Sequence, residues 1–235
     1  MPYHHFLHHA HIVSSQSDFS GFWGAFGGAF FAFVFGLIAY RMTQRWERFG
    51  QHKNALVKLE RLLNRHYNAL AILEGMAADT AKVIGEGKMT SNRFFELKLP
   101  EGLDLELASI DLINKYFAYQ SYIDRYNINA GTFNSALTRF EDLLIAGQAL
   151  HPANLEFTKK MLEGFKKDLP SLGESTKALL VLVRIHLRKI RERQSFFYGV
   201  WNRQWDFDIS KAEIDAETKT LDAEIGTMQR DGSGI

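Results

Sequence analysis

Residues 19–40 read FSGFWGAFGGAFFAFVFGLIAY, twenty-two positions without a charge, Asn, Gln or His. At ~1.5 Å per residue a helix of this length is about 33 Å long, enough for a hydrocarbon core of about 30 Å. A cleaved secretory signal needs a basic stretch ahead of its apolar run, and residues 1–18 hold no Lys or Arg. The cations come afterwards, as Arg41, Arg45, Arg48 and Lys53 against Glu47 alone. Loops rich in Lys and Arg stay in the cytoplasm, so the short amino tail is expected outside the cell (inner) membrane and everything beyond Tyr40 inside. Trp23 at one end, and Tyr40 and Trp46 at the other, have the amphipathic rings that settle at lipid headgroups.

Small residues within this stretch recur at every fourth position: Gly24, Gly28, Ala32 and Gly36. Each step of four advances only about 40° around a helix, so they form one shallow groove. Lipid tails are as apolar as a neighbouring helix. Association in a bilayer therefore relies on close packing, which small-xxx-small rows permit. The row predicts a homo-oligomer.

Working outward, the chain of 235 residues has net charge +1, 46% hydrophobic residues, four prolines and no cysteine. That composition excludes disorder, collagen and a disulfide framework. It also excludes a thiolate metal site and a cysteine nucleophile. A near-neutral charge argues against a dedicated nucleic-acid binder. No P-loop, nucleophile elbow or HExxH pattern occurs, so the chain reads as a non-enzyme without a cofactor.

Beyond Arg41 the periodicity is helical. Leu56, Leu59, Leu63, Leu70 and Leu73 predict one helix over 41–84, stopped by Gly85-Glu-Gly87. Residues 85–102 are the least regular, with Phe95, Leu97 and Leu99 alternating as in a short extended segment. A stripe then runs through Leu105, Ala108, Leu112, Tyr116, Tyr119, Ile123, Tyr126, Ala130, Phe133, Leu137, Phe140 and Leu144, spaced by threes and fours. It marks a long helix of a bundle or coiled coil, expected to pair antiparallel with the first. Pro152 opens the next helix, in which Pro170 marks a kink or a turn. Helix resumes over 174–205, and Ser210 with Glu213 forms a capping box for a final amphipathic helix.

The fold class expected is all-α: one N-terminal transmembrane helix followed by a cytoplasmic bundle of long antiparallel helices. The divisions are a His-rich translocated tail (1–18), the span (19–40), the bundle (41–209) and an acidic amphipathic helix with a frayed tail (210–235).

Several clusters carry candidate chemistry. His4, His5, His8 and His9 are spaced so that pairs 4/8 and 5/9 would share a helix face and hold a transition metal, although a weakly chelating, pH-sensitive tail explains them more simply. Arg184, Arg188, Lys189, Arg191 and Arg193 form a basic run followed by Phe196, Phe197, Tyr198, Trp201 and Trp205. This combination suits anionic headgroups or RNA. Asp206, Asp208, Glu213, Asp215, Glu217, Asp222 and Glu224 are its electrostatic complement, and intramolecular docking of the acidic helix on the basic run is the reading favoured here. Asn114, Asn127 and Asn134 lie on or beside the long stripe; buried Asn can fix register between helices, but exposed helix surface is the commoner explanation.

Arg61-Leu-Leu-Asn-Arg-His66 resembles the R-x4-6-H element of HEPN ribonucleases. That resemblance covers six residues. It implies an all-helical domain pairing two such motifs across a dimer, with Arg61 and His66 acting on RNA phosphate and ribose hydroxyl. The sequence thus supports a leading expectation and two alternatives. The first is a membrane-anchored assembly or effector protein whose partners are the bilayer, further copies of itself and a cytoplasmic protein. The others are a gated pore-forming or membrane-disrupting effector and a membrane-tethered HEPN-like ribonuclease.

Overall fold

The computed structural model describes residues 15–88, 90–100, 102–103, 105, 108–147, 152–192 and 208–230. Among those residues there is no strand, and four helices form: α1 (Ser15–Gly85), α2 (Ile110–Ile145), α3 (Pro152–Glu192) and α4 (Lys211–Arg230). The fold is all-α, with one long apolar helix at the N-terminal end. The chain divides into two units, Met1–Arg48 and Phe49–Ile235. Phe49 is the first buried residue among those whose burial is described.

In the second unit the termini follow from local chemistry. α1 ends where Gly87 adopts φ +69°, a left-handed conformation that costs glycine nothing, and Gly87 and Lys88 return N–H bonds to Ile84 and Val83. Gly147, at φ +63°, follows the end of α2 in the same way. Pro152 opens α3, where its missing N–H costs no hydrogen bond. Helix α3 then continues unbroken through Pro170, so the turn reading of that proline does not hold. The expected capping box forms: Ser210 Oγ accepts from the Glu213 N–H at 3.3 Å, and Glu213 Oε2 accepts from the Ser210 N–H at 2.9 Å.

The leucines of α1 and the stripe of α2 meet in one core. Leu56, Leu59, Leu63, Leu70 and Leu73 are buried, as are Leu105, Leu112, Tyr116, Tyr119, Ile123, Tyr126, Ala130, Phe133, Leu137 and Phe140. From Leu179 to Ile190 α3 is buried on nearly every side, which places it at the centre of the unit with α1, α2 and α4 around it. Phe94, Phe133 and Phe165 fill the core further along, with Phe94 and Phe165 edge to face at 4.6 Å.

Chain direction departs from expectation in one respect. α2 and α3 are antiparallel, as the Ser109–His186 and Arg125–Asp168 bonds show, and α4 is antiparallel to α3. Helices α1 and α2, however, run the same way. Glu60 of α1 and Ser109 of α2 both lie beside α3 near residues 184–186, whereas His66 and Tyr119 meet further along. Residues 90–100 make this possible by running as a strap along the helices instead of turning tightly.

The strap is held chiefly by two asparagines. Asn134 accepts from the Phe94 N–H (2.9 Å) and donates to its carbonyl (2.7 Å), and Asn127 does the same for Leu97 at 2.9 Å each way. Seven helical residues rise about 10.5 Å and three extended residues about 10 Å, so the two spacings coincide. Tyr126 donates to the Phe95 carbonyl, Asn92 to Thr80 Oγ1, and Arg93 pairs with Glu141. The extended segment expected from Phe95, Leu97 and Leu99 therefore exists without a β-partner, and its inward residues are Phe94 and Leu97. Phe95 is exposed and Leu99 half-buried.

Candidate functional site

The first unit contributes the apolar segment of α1, the one helix among the described residues long and apolar enough to cross a membrane. Trp23, Phe26, Phe30, Phe31, Phe33, Phe35, Leu37, Ile38 and Tyr40 are all exposed, with Phe35 at 65%. None of the residues 21–48 with described burial is buried. An apolar surface of this extent on every side of a helix needs an apolar environment. Gly24, Gly28, Ala32 and Gly36 are part of that surface, and a Cβ added at any of the three glycines would meet nothing within 4 Å. The row is thus an open groove within one chain. Arg41, Arg45, Trp46 and Arg48 are exposed on the next turns, and Gln44 donates to the Tyr40 hydroxyl at 2.6 Å.

In the second unit α4 docks on the basic face of α3. Arg184 meets Glu224 at 2.7 Å, Arg188 meets Glu217 at 2.7 Å, Lys189 meets Glu213 at 3.0 Å and Lys177 meets Asp222 at 2.7 Å. Arg184 also reaches Glu60 of α1 at 3.4 Å. The N–H of Ser210 and the Lys189 ammonium hold the Glu213 carboxyl down to about 2, while the hydrogen bond with Asp222 raises Lys177. Leu221 is the apolar anchor, with Ile209, Ile214 and Ile225 partly buried against the same core. Of the basic run, Arg191 is exposed; Arg193 and the aromatic residues Phe196, Phe197, Tyr198, Trp201 and Trp205 lie outside the described residues. So do His4, His5, His8 and His9. No group of three metal-ligating side chains occurs among the described residues.

Arg61 and His66 are placed differently from one another. Arg61 is exposed, whereas His66 is buried. Burial holds the imidazole below its ordinary range, with Arg65 adding to the effect and a hydrogen bond to the Lys98 backbone opposing it. Burial also raises the Tyr119 phenol, so Tyr119 keeps its proton, and its hydroxyl lies in a hydrogen bond 2.6 Å from His66 Nδ1. This bond ties α1 to α2, and the Lys98 contact ties both to the strap.

A second buried histidine is also structural. The Leu182 carbonyl, 2.8 Å away, fixes His186 Nδ1 as a donor, leaving Nε2 facing the Ser109 hydroxyl at 2.9 Å. Ser109 Oγ also accepts from the Leu112 N–H as the N-cap of α2. A Ser–His contact of this length suits nucleophile activation, but both side chains are enclosed and the hydroxyl is engaged as a cap. Sequence reasoning missed this pair. A serine three residues before Leu112, with helix-periodic positions following it, was the available signal.

The fold and the exposed segment define an all-helical protein with one helix of membrane-spanning length. Comparison with known proteins adds no relative: no family model, no curated protein and no solved structure matches the chain.

Proposed function

We propose that this is a single-pass, membrane-anchored assembly protein that self-associates through the Gly24–Gly28–Ala32–Gly36 face and uses its helical bundle to engage a cytoplasmic protein partner. The observation that carries the reading is the apolar segment of α1, exposed on all sides, on a helix that elsewhere contributes leucines to a packed core. Cations following the apolar run support an N-terminus outside the cell (inner) membrane and a cytoplasmic bundle. The small-residue row supports lateral association, since its groove is unfilled within one chain.

The reading is tested by the size of the full chain in mild detergent or bilayer discs. A discrete oligomer is expected, shifting to monomer when Gly24 and Gly28 become Leu. An unchanged size distribution would remove this face from the assembly.

A further inference from the structure

Toward the end of α2 its contact with α3 leaves a gap. Helix α2 carries the small residues Thr132, Ser135 and Ala136 where α3 carries Phe157 and Met161, and among the described residues these line a cavity of about 480 Å³ between the two helices. Phe140 and Leu143 complete its apolar walls, and Phe157 keeps 60% of its surface exposed. Small-molecule sites occur between the helices of bundles, with volumes of about 300–1,000 Å³.

The polar lining narrows the ligand. Thr132 donates its hydroxyl to the Ile128 carbonyl at 2.8 Å, Ser135 to that of Gly131 at 2.9 Å and Thr158 to that of Asn154 at 2.9 Å. Each hydroxyl proton is thus engaged within its own helix and is not offered to a ligand. The charged group on the lining is Arg139, an exposed guanidinium with no ion-pair partner among the described residues. No carboxylate lines the cavity, and the first turn of α3, which contributes Asn154, holds no acidic residue to offset the positive end of that helix. Aromatic and thioether walls favour a flat ring, and a guanidinium pairs with both oxygens of a carboxylate at once.

We infer that this cavity binds an aromatic carboxylate, with its ring against Phe140 and Phe157 and its two oxygens on Arg139. The site lies wholly within the second unit and is independent of the self-association proposed above.

The test is equilibrium dialysis of the full chain in lipid nanodiscs against naphthoate, with empty discs as the control for partition into lipid. Saturable binding above that of empty discs is expected, about tenfold tighter than binding of the uncharged naphthamide, because the bond to a charged partner is the stronger one. Arg139→Gln should bring naphthoate down to the naphthamide level and leave naphthamide unchanged. Ala136→Phe fills the cavity and should abolish binding of both, with helix content and oligomer size intact. Arg139 is exposed, so its replacement tests the site even if Ala136→Phe disturbs packing. Naphthoate bound equally well by Arg139→Gln, or no better by the protein than by empty discs, would overturn the site. Octanoate carries the charge without the ring and should bind more weakly than naphthoate; equal or tighter binding would overturn the aromatic class.

Discussion

Asn127 and Asn134 lie on the flank of the α2 stripe, where polar side chains ordinarily face solvent. They instead supply both a donor and an acceptor to an extended backbone that has no strand beside it. Replacing either by alanine leaves a half-buried N–H and C=O unpaired, at about 1–3 kcal/mol each. Denaturant unfolding of Asn127→Ala and Asn134→Ala is expected to show losses of that order, with faster proteolysis at residues 90–100. A loss no greater than that of Asn114→Ala, which sits exposed on the same helix, would mean the clamps do not hold the strap. His66 adds a pH dependence whose sign follows from its lowered pKa. The unfolded chain takes up a proton near 6.5 while the folded chain resists, so its contribution is complete above that pH and declines below it. His66→Gln is expected to flatten the decline between pH 6.5 and 5 in urea unfolding; an identical slope would contradict this assignment. The partners of these side chains were hidden in the sequence, because an Asn or His on a helix flank reads the same whether it meets a neighbouring helix, water or a returning backbone.

At the scale of elements, periodicity carried most of the information. The α2 stripe from Leu112 to Phe140 is buried position by position, and the capping box and the glycine stops fall where the residues place them. Pro170 could not be read, because a proline in a helical pattern allows either a kink within one helix or a turn between two, and the single helix buries Leu169 and Leu172 in the core. The shared direction of α1 and α2 was equally hidden, since it depends on the strap. α4 was legible through its charge, and its docking should be sensitive to salt and acid. Half-exposed ion pairs contribute about 0–1 kcal/mol each and are screened by salt. Glu213, depressed to about 2, contributes fully above about pH 4.5 and progressively less as the pH falls toward 2. Hydrogen exchange should therefore show α4 amides losing protection in 1 M salt or at pH 3 while those of α2 keep theirs, and Leu221→Ala should produce the same local loss at neutral pH. Simultaneous exchange of both helices would mean that α4 is integral to the core.

For the whole molecule, the decisive feature is a contrast between surfaces. In the unit beginning at Phe49 a core of leucines and aromatic rings is gathered inside and exposed rings such as Phe117 and Phe157 are scattered, while residues 23–40 present a continuous run of theirs outward. Water tolerates isolated exposed rings but not a continuous apolar helix, and burying such surface is worth about 25 cal/mol per Å². The bilayer anchoring proposed above would resolve the contrast. Its direct test is fractionation of cells expressing the full chain, followed by an alkaline carbonate wash and detergent extraction of the membranes. The protein is expected to stay in the washed membrane pellet and to be released by detergent alone; a full-length chain that is soluble and monodisperse without surfactant would contradict its anchoring in the bilayer.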